Sequence, residues 1–331
     1  MRQETSSHAV AGGPPDAPHL GQLAGVPFRP VFIMGSARSG TTILYRLLTL
    51  TGRFSYVTAY HLVKYDEVLA NHHRGTTEAA KQDLTELFRR LGIGGSRFDG
   101  VDISPDFPEE YGFALSEGSR LQISPRTLPR FLELCRKVQV VSGGDRPLLL
   151  KNPWDSRRFL YIKQMLPASR FIFIHRNPGD VVRSMLQGMR SLLRDRNPYH
   201  ALLARFYDRL MESPWRVGMT KLLFTSRFGL GTRVVAWQVA RTARYFLDNV
   251  RSLPDGDHIS VRYEDLCQDP EGVVNRVLQF LGEEENHEVP YRQFIRERGA
   301  RRGDAGDGDA DAVLRRMQVK PYLAYCGYEA E

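Results

Sequence analysis

The run Val31–Gly52, "VFIMGSARSGTTILYRLLTLTG", constrains the fold of this chain more than any other stretch. Val31–Met34 is a short apolar run that ends at a glycine, which is typical of a buried strand. From Thr41 to Thr51 apolar side chains recur at helical spacing, and Gly52 ends that pattern. The sequence therefore predicts a buried strand, a glycine-rich turn and a helix in direct succession.

The same plan of strand, turn and helix recurs three times further along the chain. The strands are short apolar runs, which is typical of strands covered on both faces of a parallel sheet. This alternation predicts an α/β fold with a P-loop-type central parallel sheet flanked by helices. The predicted units are strand Leu148–Leu150 with helix Arg157–Leu166, strand Phe171–His175 with a helix from about Gly179, and strand His258–Arg262 with helix Pro270–Leu281.

We expect residues 1–29 to form a flexible leader and residues 30–331 to form a single domain. The leader lacks the apolar segment of a secretory signal. Two stretches interrupt the regular plan: residues 97–130 are rich in Gly, Pro and Ser, and residues 189–233 are basic and partly aromatic. Long irregular insertions in compact folds are often functional, so both are predicted to bind a substrate. A final helix is predicted from about Val313.

Composition narrows the class of protein. No run of about 18 apolar residues occurs, so the sequence predicts no membrane span. The three cysteines lie far apart and form no C-x-x-C pair, which favours a reducing cytoplasm over a zinc site or a disulfide framework. The net charge of +8 fits an anionic partner, which could be a nucleotide, an anionic acceptor, nucleic acid or a membrane surface. Basic residues are spread along the chain, which disfavours nucleic acid.

The glycine-rich loop, Gly35–Thr42, nearly matches the phosphate-binding pattern G-x-x-x-x-G-K-[ST], but Thr41 stands where the lysine should be. Backbone N–H groups from Ser39 to Thr42 are expected to point at an anion at the helix N-terminus. Arg38 supplies a positive charge within the loop. The loop is therefore predicted to bind a phosphate group but to be a poor site for Mg·ATP.

A second anion clamp is predicted at the end of strand Phe171–His175. That strand is followed by Arg176, whereas a nucleoside triphosphatase strand would end in a magnesium-binding aspartate. Ligands of open α/β sheets bind at this carboxyl end. Ser184 lies about two helical turns further on, so its hydroxyl could face the same anion as Arg176. The predicted ligand carries two phosphate positions and needs no metal.

The combination "GSARSGTT … HRNPGDVVRS" resembles the sulfotransferases that use PAPS (3′-phosphoadenosine 5′-phosphosulfate). "VRYEDLCQDPEGVVNRVLQFLG" looks like a third block of that family, and the C-terminal "CGYE" is similar to a common bacterial ending. The likeness is closer to the bacterial and tyrosylprotein or carbohydrate branches than to the cytosolic aryl enzymes. The resemblance implies the sulfotransferase fold and PAPS as co-substrate.

The resemblance also implies residue roles. Lys151 matches a lysine that approaches the transferring sulfuryl group, where a fixed cation favours the developing negative charge. Tyr263 is the candidate surface for adenine, and Trp237 is expected to pack in the core. The 5′-phosphosulfate would be held by Arg38, Ser39, Gly40, Thr41 and Thr42, and the 3′-phosphate by Arg176 and Ser184.

The proton acceptor is not identified by any family position. The histidine of cytosolic relatives is replaced by Pro153, and the glutamate of tyrosylprotein relatives would fall at about Ala59. His61, two residues further on, is the leading candidate because its ordinary pKa suits a general base. A structural histidine is an equally good interpretation. The alternatives are Asp66, Glu67 and Asp155.

Three functions remain open from the sequence. The leading hypothesis is metal-independent, in-line sulfuryl transfer from PAPS to a hydroxyl or amine of a small-molecule, carbohydrate or lipid-linked acceptor. A P-loop kinase or nucleoside triphosphatase is disfavoured because the loop lysine and the strand-end aspartate are both missing. A non-catalytic nucleotide-binding protein remains possible because no family base is present.

Overall fold

A five-stranded parallel sheet forms the centre of the computed structural model, with strand order β2-β3-β1-β4-β5. The structure describes residues 13–93, 103–115, 121–225, 230–285, 289–295, 313–317 and 319–328. The strands are β1 (Pro30–Met34), β2 (Ser55–Tyr56), β3 (Leu148–Lys151), β4 (Arg170–His175) and β5 (His258–Arg262). The predicted α/β architecture is confirmed.

Helices cover both faces of the sheet. They are α1 (Thr41–Leu50), α2 (Ala59–Val63), α3 (Val68–His73), α4 (Thr77–Arg90), α5 (Leu128–Val141), α6 (Phe159–Met165), α7 (Pro178–Arg194), α8 (Pro198–Leu203), α9 (Arg205–Met211), α10 (Pro214–Thr225), α11 (Leu230–Asn249), α12 (Tyr263–Gln268), α13 (Pro270–Leu281) and α14 (Lys320–Tyr325). Short 3-10 helices lie at Ala17–Leu23, Tyr111–Leu115, Pro153–Asp155, Val250–Ser252 and Tyr291–Phe294. None of the helices within the described ranges is long and apolar enough to cross a membrane.

The central strand β1 is buried along its whole length, as its unbroken apolar sequence requires. Phe32 and Met34 belong to the core on one face of the sheet, and Val31 and Ile33 belong to the core on the other face. The Phe32 ring stacks on Phe171 of β4 with ring centroids 5.8 Å apart. β1 is thereby fixed between β3 and β4, and the glycine-rich loop that follows it starts from a rigid position.

Most predicted units occur with small shifts of their ends. β3 extends one residue further than predicted and includes Lys151, which pairs in register with Ile33 of β1. Helix α6 begins at Phe159, two residues later than predicted, and Arg158 is its N-cap. The predicted final helix from Val313 is divided, with one helical turn at 313–316 before α14.

Within the predicted leader of residues 1–29, residues 1–12 lie outside the described residues, and Ala17–Leu23 forms a 3-10 helix. Asp16 is buried, and its carboxylate pairs with the buried Lys137 of α5 at 2.9 Å. The same carboxylate accepts a hydrogen bond from the Ala70 amide at 2.9 Å. A buried ion pair thus attaches residues near Asp16 to α5, a contact that gives no periodic signal in a sequence.

The two stretches expected to be irregular differ from each other. Residues 189–233 are largely helical where they are described, and they include α8, α9 and α10. Pro198 and Pro214 stand at the first positions of α8 and α10, which suits proline but hides these short helices from a periodicity search. In the stretch 97–130, residues 103–110 run beside residues 57–60, whereas residues 97–102 and 116–120 lie outside the described residues.

Candidate active site

The carboxyl ends of β1, β3 and β4 meet at one edge of the sheet, as parallel strands require. The glycine-rich loop leaves β1 there and enters α1. Arg38 has φ 69° and Gly40 has φ 100°, so two loop residues lie in the left-handed region that most side chains avoid. Gly40 is the N-cap of α1 and no side chain caps that helix. The first amides of α1 are therefore directed at the space over the loop, as in an anion-binding helix terminus.

Two glycines of the loop are required by close contacts. A Cβ atom on Gly40 would lie 2.3 Å from Cδ2 of Tyr263, so the tyrosine ring packs directly on the loop backbone. A Cβ atom on Gly35 would lie 2.8 Å from the carbonyl oxygen of Ile174 in β4. The loop is thus held between β4 and the Tyr263 ring: a side chain at Gly35 would press on the β4 backbone, and one at Gly40 would displace the Tyr263 ring.

Ser39 has a role that the sequence did not predict. Its amide N–H and its hydroxyl both donate to the carbonyl oxygen of Ser36, at 3.1 Å and 2.7 Å. The side chain is buried. Ser39 therefore closes the loop on itself, and the amides that remain directed at an anion begin with Gly40.

Lys151 supplies an ammonium group, which the loop itself lacks. It is the last residue of β3 and is buried, and its Nζ donates to Thr42 Oγ1 at 2.9 Å. The same ammonium group pairs with Glu110 Oε1 at 2.7 Å. The structure therefore brings Lys151, the loop residue Thr42 and the Glu110 carboxylate together.

The second predicted clamp lies against the loop as well. Arg38 Nε donates to Ser184 Oγ at 3.1 Å, and a guanidinium N–H of Arg176 donates to the Arg38 carbonyl oxygen at 3.0 Å. The Arg176 guanidinium also lies 4.4 Å from the centre of the Tyr263 ring. Arg176 Nε is buried without a hydrogen-bond partner among the described residues, which leaves a donor for a ligand oxygen. All four predicted side chains therefore lie together.

Two glutamates that the sequence analysis did not single out lie at this edge. Glu110 contacts Lys151, and the amide of Glu109 donates to the Val57 carbonyl at 2.9 Å. The neighbouring amide of Ala59 donates to the Phe107 carbonyl at 3.0 Å. The position where a family glutamate would fall is therefore bonded to the segment that carries two carboxylates. The signal in the sequence was "PEEYG", a pair of acids within a turn-rich stretch.

Glu109 is buried and is held by its neighbours. Its carboxylate accepts a hydrogen bond from the Tyr199 hydroxyl at 2.6 Å and from the Glu110 amide at 3.0 Å. Burial raises the pKa of Glu109 to about 7, although the hydrogen bond from Tyr199 acts in the opposite direction. Tyr199 lies on α8, so a helix of the stretch 189–233 fixes the backbone and side chain beside Glu110.

His61 is placed as a capping residue of α2. Its Nδ1 lies 3.1 Å from the amide nitrogen of Thr58, while the Thr58 hydroxyl accepts from the His61 amide at 3.3 Å. This reciprocal pair is a capping box. Burial lowers the pKa of His61 to about 4, and the charges that act on it come from Lys81 and Asp106. The ring is held in its neutral form by burial, and its hydrogen bonds within the described part of the chain go to Thr58 and not to the glycine-rich loop.

The alternative acids also have structural surroundings. Glu67 pairs with Lys64 at 3.2 Å, and Asp66 is exposed. Asp155 is fully buried and accepts hydrogen bonds from the Tyr111 hydroxyl at 2.9 Å and from Asn152 Nδ2 at 2.8 Å. Burial raises the pKa of Asp155 to about 6. These donors fix the turn after β3, which positions Lys151.

Trp237 is on the surface and not in the core as predicted. Its side chain is stacked by the Arg241 guanidinium, 4.5 Å from the ring centre. Helix α11 buries the opposite side, including Ala236 and Val239. Among the described residues, no group of three or more His, Cys, Asp or Glu side chains is arranged to hold a metal ion.

A profile described as "Sulfotransferase family" matches residues 30–288, which includes the loop, Lys151, Arg176, Ser184 and Tyr263. This chain belongs to the sulfotransferase family. The family assignment agrees with the resemblance seen in the sequence.

Two named relatives have similar sequences to this sulfotransferase. They are the omega-hydroxy-beta-dihydromenaquinone-9 sulfotransferases of Mycobacterium tuberculosis and Mycobacterium bovis, each 28% identical over 283 residues. The match covers 76% of this chain and 62% of each relative. The chain therefore matches somewhat less than two thirds of the length of these relatives.

Solved sulfotransferase structures share the fold. A Mycobacterium avium sulfotransferase is 18% identical, with a TM-score of 0.63 over 96% of this chain and 81% of that chain. A Mycobacterium tuberculosis sulfotransferase is 15% identical, with a TM-score of 0.57 over 91% of this chain and 80% of that chain. At these identities the likeness shows the fold alone.

Proposed function

We propose that this sulfotransferase moves the sulfuryl group of PAPS to a hydroxyl group of an acceptor by in-line, metal-independent transfer. The observation that carries the proposal is the position of Lys151, whose Nζ contacts Thr42 of the loop and Glu110 at the same time. An anion-binding loop, a cation and a carboxylate thus meet at one point. These are the three groups needed to hold a phosphosulfate, to stabilise its leaving oxygen and to accept a proton.

The two clamps suit the two phosphate positions of PAPS. The helix terminus at Gly40–Thr42 would hold the 5′-phosphosulfate, together with Arg38. Arg176, with its buried Nε donor, and Ser184 would hold the 3′-phosphate. Tyr263 lies against both the loop and Arg176, which suits the ring to contact the adenine or ribose. PAPS itself supplies the activated sulfuryl group, and the residues bind and orient it.

Lys151 would stabilise the charge that develops on the bridging oxygen when the sulfuryl group leaves. Glu110, which lies beside it, would accept the proton of the attacking hydroxyl, in place of His61. Glu109 and Tyr199 would fix the position of Glu110 through the hydrogen bond between their side chains. Glu110 would thus provide the general base that the family positions Pro153 and Ala59 do not provide in this chain.

The acceptor that we propose is a hydroxyl on an apolar, lipid-like molecule. The support is that both named relatives act on a hydroxylated menaquinone. Small-molecule and carbohydrate acceptors of other kinds are the alternatives that the assay below compares. We also propose a cytoplasmic site of action, which the three free cysteines support.

Calorimetric titration of the metal-free protein tests the co-substrate. We expect micromolar binding of 3′,5′-diphosphoadenosine and little binding of ATP with Mg²⁺. Radiolabelled PAPS then tests transfer to a panel of apolar alcohols, phenols and sugars. Tight ATP binding with Mg²⁺-dependent hydrolysis would replace the proposal with a kinase or nucleoside triphosphatase. Binding of the diphosphate with no transfer to any acceptor would support a non-catalytic nucleotide-binding protein.

A further inference from the structure

Helix α10 presents an apolar face to the solvent. Trp215, Met219 and Leu222 follow one another at helical spacing and are between 63% and 67% exposed. The opposite side of the helix carries Val217 and Phe224, which are partly buried. α10 packs on α7 and α11 with that opposite side. A surface helix normally turns its large apolar side chains towards the core, so this exposed apolar face is unusual.

Exposed apolar side chains also occur on the first turns of α11. Leu230, Val234 and Trp237 also follow one another at helical spacing, and they are 44% to 49% exposed. A Cβ atom on Gly231 would lie 2.8 Å from the Leu223 carbonyl oxygen, so the start of α11 lies against the end of α10. We call these six exposed side chains, Trp215, Met219, Leu222, Leu230, Val234 and Trp237, the α10–α11 apolar face.

Two arginines lie at the α10–α11 apolar face, within a stretch of sequence that is rich in positive charge. The stretch 189–233 contains nine arginine or lysine residues and three acidic residues. Arg216 and Arg241 are exposed and lie over the rings of Trp215 and Trp237, at 5.6 Å and 4.5 Å from the ring centres. Tryptophan rings beside arginine are typical of the boundary between lipid headgroups and acyl chains.

We propose that the α10–α11 apolar face binds the surface of an anionic lipid bilayer, with the helices lying in the plane of the headgroups. Apolar burial and attraction of the flanking arginines to acidic headgroups act together in this arrangement. Charge complementarity decides against a second copy of the chain as the occupant, because two such faces would bring like charges together. The proposal requires no membrane-spanning helix.

The helix that carries part of the face, α10, is joined to α7, which carries Ser184 of the candidate active site. Arg190 Nε donates to the carbonyl oxygen of Phe224 at 3.5 Å, which joins the end of α10 to α7. Ser184 stands six residues earlier on α7, about 9 Å along the helix axis. Helix α7 thus connects α10 to the candidate active site, where the proposed function needs a lipid-like acceptor. This last point rests on the proposed function, whereas the binding itself does not.

Vesicle flotation tests the binding with the full chain. We expect the protein to float with vesicles that contain phosphatidylcholine and phosphatidylglycerol, to float much less with phosphatidylcholine alone, and to be released by high salt. The Trp154→Phe variant keeps Trp215 and Trp237 as its tryptophans, since the chain has three. Their fluorescence should shift to the blue on vesicle binding and should be quenched by brominated lipids.

The double variant Met219→Glu with Leu222→Glu should lower vesicle affinity by more than about tenfold, because it removes apolar area and adds negative charge. The matched control is Leu91→Glu, which changes an exposed apolar residue at the end of α4. Circular dichroism and binding of 3′,5′-diphosphoadenosine should be unchanged in both proteins. This retained nucleotide binding separates the test from the proposed function.

Equal flotation of the double variant and the wild type would overturn the proposal, as would wild-type protein that fails to float. Sedimentation velocity measures whether the wild type and the double variant are monomers or dimers. A wild-type dimer that becomes monomeric in the double variant, without vesicle binding, would assign the face to a second copy and would also overturn the proposal. If the protein binds vesicles but sulfates no acceptor, the lipid-binding proposal is supported and the proposed function is contradicted.

Discussion

At the scale of single residues, the missing lysine of the glycine-rich loop is replaced from another part of the sheet. Thr41 leaves the loop without its ammonium group, yet Lys151 Nζ contacts Thr42 from the neighbouring strand β3. The lysine of a nucleoside triphosphatase loop approaches along the loop itself and reaches terminal phosphates. Here the Lys151 ammonium group approaches the loop from β3 and also contacts Glu110. The proposed function uses this ammonium group to stabilise the leaving oxygen and the neighbouring carboxylate to accept a proton.

Arg176→Ala should weaken binding of 3′,5′-diphosphoadenosine by about 10- to 100-fold, because a hydrogen bond to a charged group contributes about 1.5–3 kcal/mol. The loss should be much smaller for AMP, which lacks the 3′-phosphate. Calorimetry with both ligands makes the comparison. Arg170→Ala is the matched control, since Arg170 lies at the other end of β4 and donates to the Phe280 carbonyl. Equal losses for both ligands in Arg176→Ala would disprove the clamp.

Glu110→Gln should lower kcat by about 10²- to 10⁴-fold, the usual contribution of a general base. Binding of 3′,5′-diphosphoadenosine should be unchanged or tighter, because Lys151 loses its carboxylate partner and keeps its charge. Single-turnover transfer from PAPS and calorimetry measure the two effects separately. Weakened nucleotide binding with normal kcat would mean that Glu110 only holds Lys151 in place.

At the scale of secondary structure, the sequence predicted what depends on local pattern. β1, β4 and the loop between β1 and α1 were predicted because continuous apolar runs and glycine spacing are local signals. β2 was missed because Ser55–Tyr56 has only two residues and is a strand only through its pairing with β3. Short helices such as α8 offer too few turns for a periodic pattern.

The residues of the candidate site also differ in whether a local sequence pattern predicts them. Arg38, Arg176, Ser184 and Lys151 were found because each stands at a fixed offset from a strand end. Glu110 was missed because it reaches the site from a turn-rich stretch, through the pairing of residues 57–60 with residues 105–109. Such a long-range pairing leaves no spacing in the sequence. His61 was favoured because its residue type suited the chemistry, whereas its neighbours assign it to the end of α2.

His61→Ala should therefore act on the stability of α2 and not on the chemistry. Loss of the capping box should lower the free energy of unfolding by about 0.5–2 kcal/mol, as for other N-terminal caps. Urea unfolding measures this loss, and kcat at a temperature well below the transition should equal that of the wild type. A fall in kcat comparable to that of Glu110→Gln would return the role of base to His61.

At the scale of the whole molecule, one buried histidine joins the C-terminal region to the sheet. His175, the last residue of β4, lies 2.9 Å from the Tyr322 hydroxyl of α14 through Nδ1 and 3.0 Å from Ser260 Oγ of β5 through Nε2. Burial lowers the pKa of His175 to about 4. Since Arg176 follows directly, the attachment of α14 and the position of the second clamp share one anchor.

The stability of the fold should depend on pH through His175. Its pKa in the folded state, about 4, lies below the ordinary value of 6.5, so the unfolded chain binds the proton more tightly. The neutral ring stabilises the fold fully above about pH 6.5, and this contribution is lost as the pH falls towards 4. It amounts to at most roughly 3 kcal/mol.

The comparison protein for this measurement is His175→Gln, which cannot take up a proton. Chemical unfolding of both proteins at several pH values gives the difference in their free energies of unfolding, in which other titrating groups cancel. The wild type should lose stability relative to the variant between pH 6.5 and 4. A difference that stays constant over this range would mean that His175 can take a proton in the folded state at no cost.

The central position of β1 has a consequence for the way the chain is made. Pro30 pairs with Leu148, which lies 118 residues downstream, and β4 follows later still. At a synthesis rate of about 5–20 residues per second, β3, the first strand that pairs with β1, is synthesised roughly 6 to 24 s after β1. During this time a wholly apolar strand and the loop after it have no sheet to join. β1 and the glycine-rich loop are thus an exposed, aggregation-prone segment of the nascent chain. A ribosome-associated chaperone is expected to bind there.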